Sequence, residues 1–230
     1  MNRIDNRRKR EELDVLWNDI LQDFPNNTII SKGYAIESEV EMHSILFVGM
    51  NPSFSANKWN NGNNQDSVIY DIPKITENKD TNTYFKTILS FYDSIKCPKP
   101  SLAHHDLLFV RETSQKAVLE MMRDSKLNCF FNEQLNISKT IIEQASPEII
   151  VVLNAGAREL FKQLFGEPKS FSEKLGAQIY CINDKETPVL FSGMLSGQRA
   201  LDSGSKELLK WHIEYILRRI MPNQYLNSTL

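Results

Sequence analysis

The sequence predicts an α/β fold, a mostly parallel sheet covered on both faces by helices, and three observations carry this. Ile45-Leu46-Phe47-Val48 and Ile149-Ile150-Val151-Val152-Leu153 are unbroken apolar runs of strand length, the pattern of strands buried on both faces. Segments with apolar residues at helical spacing alternate with such runs, as parallel strands joined by crossover helices require. The first run stops abruptly in Gly49-Met50-Asn51-Pro52-Ser53, where Gly and Pro force the chain out of the sheet and leave Asn51 at its carboxyl end. In an open parallel sheet, ligands bind in the crevice outside the carboxyl ends of the strands. A lone Asn-Pro pair is also an ordinary turn signal.

The elements follow in order. Leu13, Leu16, Trp17, Ile20, Leu21 and Phe24 recur at helical spacing and predict a helix from about Arg7 to Phe24, ended by Pro25-Asn26-Asn27. An irregular or short-strand stretch precedes the first core strand, Ile45 to Met50. Phe54 to Asp80 is Asn-rich and aperiodic, and reads as a long loop over the strand end. Tyr84, Phe85, Ile88, Leu89 and Tyr92 mark the next helix, with Asp80 or Thr81 as its cap and Cys97-Pro98-Lys99-Pro100 as its stop. Ala103 to Val110 reads as the second strand, Phe130 to Ala145 as a helix, and Ile149 to Leu153 as the third strand. Ala157 to Phe165 is helical, Ala177 to Ile182 a short strand turning at Asn183-Asp184 into Val189-Leu190-Phe191, and Leu208 to Ile220 the apolar face of a last helix. No repeat or linker divides residues 1–230, so a single domain is expected.

The 230 residues, 41% hydrophobic and 24% charged, are normal for a soluble globular chain, and neither a membrane span nor a secretory leader is suggested. A cytoplasmic protein is the expectation. Cys97, Cys129 and Cys181 are scattered without a Cys-x-x-Cys pair, and the four histidines lack a metal-ligand spacing, so neither a disulfide framework nor a metal or other cofactor is expected. A net charge of −2 argues against nonspecific coating of nucleic acid, while leaving room for a local basic groove. The cluster Arg7-Arg8-Lys9-Arg10 reads as a solvated helix start.

Four strand ends carry distinctive residues, and their order resembles the uracil-DNA glycosylase superfamily, closest to its mismatch-specific uracil glycosylases. The first strand of that family ends in Gly-x-Asn-Pro or Gly-Gln-Asp-Pro, whose Asn or Asp holds the attacking water; here it is Gly49-Met50-Asn51-Pro52-Ser53. Asn82-Thr83-Tyr84-Phe85-Lys86 is similar to the family's Asn-Arg-Phe-Trp-Lys, and Arg111-Glu112-Thr113-Ser114-Gln115 to its Arg-x-Thr-x-Gln stretch. The third strand matches in character, with Asn154 in place of the usual Gly. Where the family carries His-Pro-Ser or Asn-Pro-Ser-Gly, this chain has Met194-Leu195-Ser196-Gly197. The resemblance implies a three-layer α/β/α fold with a central, mostly parallel four-stranded sheet. It further implies a cofactor-free DNA repair N-glycosidase acting on a damaged or mismatched base, with DNA as its partner and the base flipped into a pocket.

Cutting a base from its sugar requires a placed water, stabilisation of the departing base anion and a grip on the extruded nucleotide. Asn51 is expected to orient the water, and Gly49, Met50, Pro52, Ser53, Asn154, Met194 and Ser196 to line the substrate site. Met194 cannot donate the hydrogen bond that His or Asn supplies to the leaving base; His104, His105, Ser192 and Gln198 are substitute donors, His105 being assigned a catalytic role. A strand histidine with a satisfied structural hydrogen bond is the alternative for either. Asp106 is placed to read a base edge, or else to pair with Arg111 or cap a turn. Tyr70, Trp59 and Phe54 are candidate stacking platforms or loop anchors. Gly197, Gln198 and Arg199 occupy the place where the family wedges into DNA, and a solvated Arg199 is the alternative. A family member that binds nucleic acid or a nucleobase without excision is the second functional expectation. An unrelated hydrolase using His105 and Asp106 is a third, without a nucleophile elbow or P-loop to support it.

Overall fold

The computed structural model describes residues 3–54, 67–71, 83–197 and 199–222. Trp59, the Asp80 or Thr81 cap, Asn82 and Gln198 lie outside them. In chain order the elements are β1 (Arg3–Asp5), α1 (Arg7–Asp23), a 3-10 turn (Ile30–Lys32), β2 (Ala35–Glu37), β3 (Glu39–Glu41), β4 (Ile45–Gly49), β5 (Val68–Tyr70), α2 (Thr83–Ser94) and β6 (Leu102–Asp106). Then come α3 (Gln115–Met121), a second 3-10 turn (Ser125–Leu127), α4 (Asn128–Ala145), β7 (Ile149–Leu153), α5 (Ala155–Phe165), β8 (Ser170–Ser172), β9 (Ala177–Ile182), β10 (Lys185–Ser192) and α6 (Ser203–Ile220).

The sheet has six strands in the order β6-β4-β7-β10-β9-β8, which corrects the expected four. β6, β4, β7 and β10 are mutually parallel, while β9 and β8 add on antiparallel. The antiparallel extension arises because β9 returns through the two-residue turn Asn183-Asp184, both at positive φ, as a tight hairpin requires. β2 and β5 pair in parallel, and β1 and β3 antiparallel, as two separate ribbons.

Alternation along the central strands divides the core in two. Leu46, Val48, Ile150 and Val152 face one cluster with Leu13 and Trp17 of α1, Phe131 and Ile141 of α4, and Leu160 and Phe161 of α5. Ile45, Phe47, Ile149 and Val151 face the other, with Ile88 and Phe91 of α2 and Ile213, Ile216 and Leu217 of α6. Both faces of β4 and β7 are therefore buried, which is why their sequences are unbroken apolar runs. Among the described residues no helix is long and apolar enough to cross a membrane.

The parallel register sets the level of the strand ends. Gly49 lies opposite Asp106, Val48 opposite Val152, and Leu153 opposite Ser192. The four segments that the sequence singles out thus leave the sheet at one edge, side by side. At about 4.8 Å per strand, β6 and β10 stand roughly 14 Å apart across this row.

Candidate functional site

The Asn51 side chain is fixed by its nitrogen. Nδ2 donates to the carbonyls of Pro52 (3.1 Å), Val110 (3.2 Å) and Glu112 (2.7 Å), so the exit loop of β6 holds the exit turn of β4. Three acceptors on one side settle which end of the amide is nitrogen. Oδ1 consequently points the other way, buried and without a hydrogen-bond partner among the described residues. A buried carbonyl oxygen without a donor carries a desolvation cost that a water or ligand N–H would relieve.

The two turns are laced further. Leu107 N donates to Gly49 O (3.1 Å), Leu108 N to Met50 O (2.9 Å) and Glu112 N to Pro52 O (3.0 Å). Pro52 is buried and Ser53 exposed. The Met50 side chain lies in the core against Gly156, where a Cβ would stand 2.6 Å from its sulfur. Its expected role at the substrate site is corrected accordingly, because only its backbone faces the turn.

Asp106 folds its carboxyl across Gly49. A Cβ on Gly49 would lie 2.0 Å from Asp106 Oδ1 and 3.4 Å from the Tyr84 hydroxyl, so a bare Cα is required there. Burial, then the negative charge of Glu37, raises the Asp106 carboxyl well above the usual carboxylate range. His104 Nε2 sits 3.8 Å from Asp106 Oδ1 and 3.0 Å from the Tyr84 hydroxyl. Burial lowers His104 to about 4, with Glu37 opposing that shift, so its ring is neutral at neutral pH. The helix residue Tyr84, twenty positions from His104, is a site neighbour that the sequence places on a helix face and in the Asn82–Lys86 stretch, without a role at the site.

His105 points to the opposite face of β6 and is fully buried. Its Nδ1 pairs with the Glu37 carboxylate, and Nε2 lies 3.0 Å from Ser138 Oγ. Ser138 donates to the Leu107 carbonyl (2.8 Å). Tyr70 donates its hydroxyl to the second Glu37 oxygen (3.1 Å) and packs against Phe85. Burial works against ionisation of Glu37, but the charge and hydrogen bond of His105 win and its carboxyl is held below its ordinary value. This network ties β2 and β5 to β6 and α4. His105 thus makes the satisfied hydrogen bonds that are the alternative to a catalytic role for it, and Tyr70, 3% exposed, is placed as a loop anchor would be, with its hydroxyl on Glu37.

Asn154 is also structural. It caps α5, accepting from Ala157 N at 2.8 Å, and its backbone sits at φ 81°. With ψ at 161° this lies outside the left-handed helical region that Asn tolerates, so a glycine would meet that backbone with less strain. Its side chain is committed to the helix rather than to a substrate.

The last segment follows β10. Leu195 is buried, Met194 and Ser196 are half-buried, and Gly197 and Arg199 are exposed. Met194 is pinned by its backbone, its carbonyl accepting from Leu201 N at 2.8 Å, and its thioether offers no strong donor. Phe54 lies 5.1 Å from both Lys32 Nζ and the Arg111 guanidinium, measured to its ring centroid. Arg111 is itself buried, and Nη1 donates to Lys32 O (3.1 Å).

Among the described residues, no three His, Cys, Asp or Glu side chains form a set able to hold a metal. A cleft of about 360 Å³ opens at the start of α1, lined by Asp5, Asn6, Arg7, Arg10, Glu37 and Ile69 among others. None of the strand-end residues lines it, and its charged groups are already committed: Asp5 to Arg7, Glu39 to Arg3 and Glu37 to His105. The strand ends, where the oriented Asn51 amide leaves the β4 turn and the Asp106 carboxyl, raised by burial, stands over Gly49, are the better chemical candidate. No protein-family model matches the chain, and no curated protein matches it.

Proposed function

We propose that this chain is a uracil-DNA glycosylase-like N-glycosidase, hydrolysing the base–sugar bond of a damaged or mismatched, uracil-like base in DNA without a cofactor. The observation that carries the reading is the Asn51 amide, clamped at Nδ2 by three carbonyls so that its buried Oδ1 is left for a water at the strand-end row. In this reading Oδ1 orients the water for attack at the sugar carbon. Asn51 is no base, so the C–N bond breaks first, its electron pair leaving with the base as an anion, and the oriented water then adds to the cationic sugar carbon and passes its proton to the departed base or to solvent. Burial favours the protonated form of Asp106, and in that form its carboxyl presents a hydroxyl donor beside a carbonyl acceptor, the complement of a base edge with C=O next to N–H. Gly49 gives that carboxyl its room. Arg199, exposed after Gly197, supplies a contact to the duplex.

The test uses duplexes carrying uracil, hypoxanthine, xanthine or a thymine mismatch, scored for alkali-labile abasic sites under enzyme excess. Release from at least one supports the reading; no release from any overturns it. A second reading, recognition without excision, is favoured by Met194, which places a thioether where the leaving base needs a donor. It is distinguished by tight binding to the same duplexes without abasic product.

A further inference from the structure

We infer that the Lys32–Glu112 ion pair is the positioning device for Asn51, fixing from outside the loop the peptide that orients its amide. The inference rests on the glycosidase reading for its catalytic consequence, but its structural content stands on the hydrogen bonds alone. Of the three carbonyls around Nδ2, that of Glu112 is closest, at 2.7 Å. The same residue donates its N–H to Pro52 O at 3.0 Å, so one residue of the β6 exit bonds to both Asn51 and its neighbour. The Glu112 side chain is then held twice: one oxygen by Lys32 Nζ, the other by Ser114 N at 2.8 Å.

Lys32 comes from the 3-10 turn before β2, eighty residues away, and its carbonyl accepts from Arg111 at 3.1 Å. Its ammonium also lies over Phe54, whose carbonyl accepts from Thr113 Oγ1 at 2.7 Å. Residues 51–54 and 110–114 are therefore laced to each other, and Lys32 adds a side-chain tie to the segment before β2, where the Tyr34–Val110 bridge already joins them through the backbone. The side chains of Lys32 and Glu112 are 24% and 14% exposed, too enclosed for solvent to screen the pair as it screens a surface one. The ion pair with Lys32 and the hydrogen bond from Ser114 outweigh burial and keep the Glu112 carboxyl below its ordinary value, so the clamp is charged at neutral pH.

Without the Glu112 carbonyl, the flipped amide loses less against the observed one, and Oδ1 is no longer held toward the strand-end row. Misplacement of a reacting group by about 1 Å costs up to ~100-fold in rate. Lys32 and Glu112 are thus positioning residues, not catalytic ones.

The test follows the Asn51 side-chain 15N–1H2 signals, identified by their loss in Asn51→Ala, in the full chain and in Lys32→Met, Glu112→Gln and the Lys32→Glu/Glu112→Lys exchange. Lys116→Met, which removes an exposed pair with Glu120, is the control. The expected result is protection of the amide from solvent exchange in the wild type and control, a loss of about tenfold or more in both single variants, and recovery in the exchange. Single-turnover excision is expected to fall about tenfold in the same variants while duplex affinity stays within about twofold. Unchanged protection in Lys32→Met and Glu112→Gln overturns the inference, and lost protection with unchanged excision overturns its catalytic part. If the wild type excises nothing, the glycosidase reading falls, and the exchange data still decide the clamp.

Discussion

Asn51→Asp is the sharpest perturbation of this site, because it changes one atom and leaves the shape unchanged. In the superfamily that the sequence resembles, Asn and Asp both occur at this position; in this chain the surrounding carbonyls admit only the amide. The nitrogen donates at 3.1, 3.2 and 2.7 Å, and an oxygen in its place faces three carbonyl oxygens instead. Losing two or three bonds worth about 0.5–1.5 kcal/mol each, and leaving those carbonyls partly unsatisfied, costs about 2–4 kcal/mol. For a chain of this size that is a fall in Tm of about 5–15 °C. The sign of the pH dependence follows. The introduced carboxyl, faced with carbonyls, has its folded pKa raised above the unfolded value, so the deficit is smallest in acid and grows as pH rises through the raised value. Asn51→Ala, which leaves a half-open site that water can enter, is expected to cost less, about 1–2 kcal/mol. Thermal unfolding of both variants between about pH 4 and pH 8 measures the difference. Equal stability of Asn51→Asp and wild type across that range would mean that Oδ1, not Nδ2, faces the carbonyls, and the argument for a free Oδ1 would be lost.

Four further outcomes are expected. Asp106→Asn removes a buried acid whose folded pKa is raised, so the stability that the wild type loses as pH rises from the ordinary carboxylate range through that raised value is retained in the variant, and the Tm advantage of the variant over the wild type widens with pH. Met194→His restores a donor where negative charge develops on the base and raises single-turnover uracil excision about tenfold or more; no gain in a folded variant removes Met194 from the leaving-group position. Arg199→Ala leaves Tm within about 1–2 °C and lowers the salt dependence of duplex binding by about one counterion, and an unchanged slope removes Arg199 from the interface. Asn154→Ala, which loses the α5 cap and keeps an unfavourable positive φ, costs about 1–2 kcal/mol by chemical denaturation, whereas Asn154→Gly stays within about 0.5 kcal/mol of wild type.

The central strands were legible because burial on both faces leaves one pattern. Ile149–Leu153 and Ala177–Ile182 fall where the sequence places them, and Ile45–Gly49 ends one residue early. The second strand ends at Asp106 rather than Val110, although Leu107 to Val110 are all buried. Their backbone bonds to the β4 exit and to Ala35, so the apolar run reports burial without a continuing ladder. Ser170–Ser172, a three-residue edge strand with Phe171 exposed, lacks a buried apolar run to mark it, so of the two antiparallel strands only Ala177–Ile182 was read from the sequence. At the site, Asn51 was legible from the Gly and Pro around it. Its amide orientation was not, since that depends on carbonyls 59 and 61 residues further along the chain.

The adjacent histidines show where the limit lies. Strand alternation dictates that His104 and His105 face opposite sides of β6, but which side meets a carboxylate depends on Glu37, 68 residues before His105. That distribution sets the electrostatics of the whole corner. Glu37 receives His105 and the Tyr70 hydroxyl, and its carboxyl is held below its ordinary value; Asp106 has the neutral His104 ring nearby, and burial, then the like charge of Glu37, pushes its carboxyl up. Two buried carboxyls with opposite preferences therefore differ in what they can offer. The Glu37 oxygens are engaged by His105 and Tyr70 and serve the fold, while the Asp106 carboxyl stands over the bare Cα of Gly49, its register partner on β4. His105, by contrast, has both ring nitrogens engaged, one with Glu37 and one with Ser138, so of the two neighbours on this strand it is the histidine that is built into the packing between β2, β6 and α4.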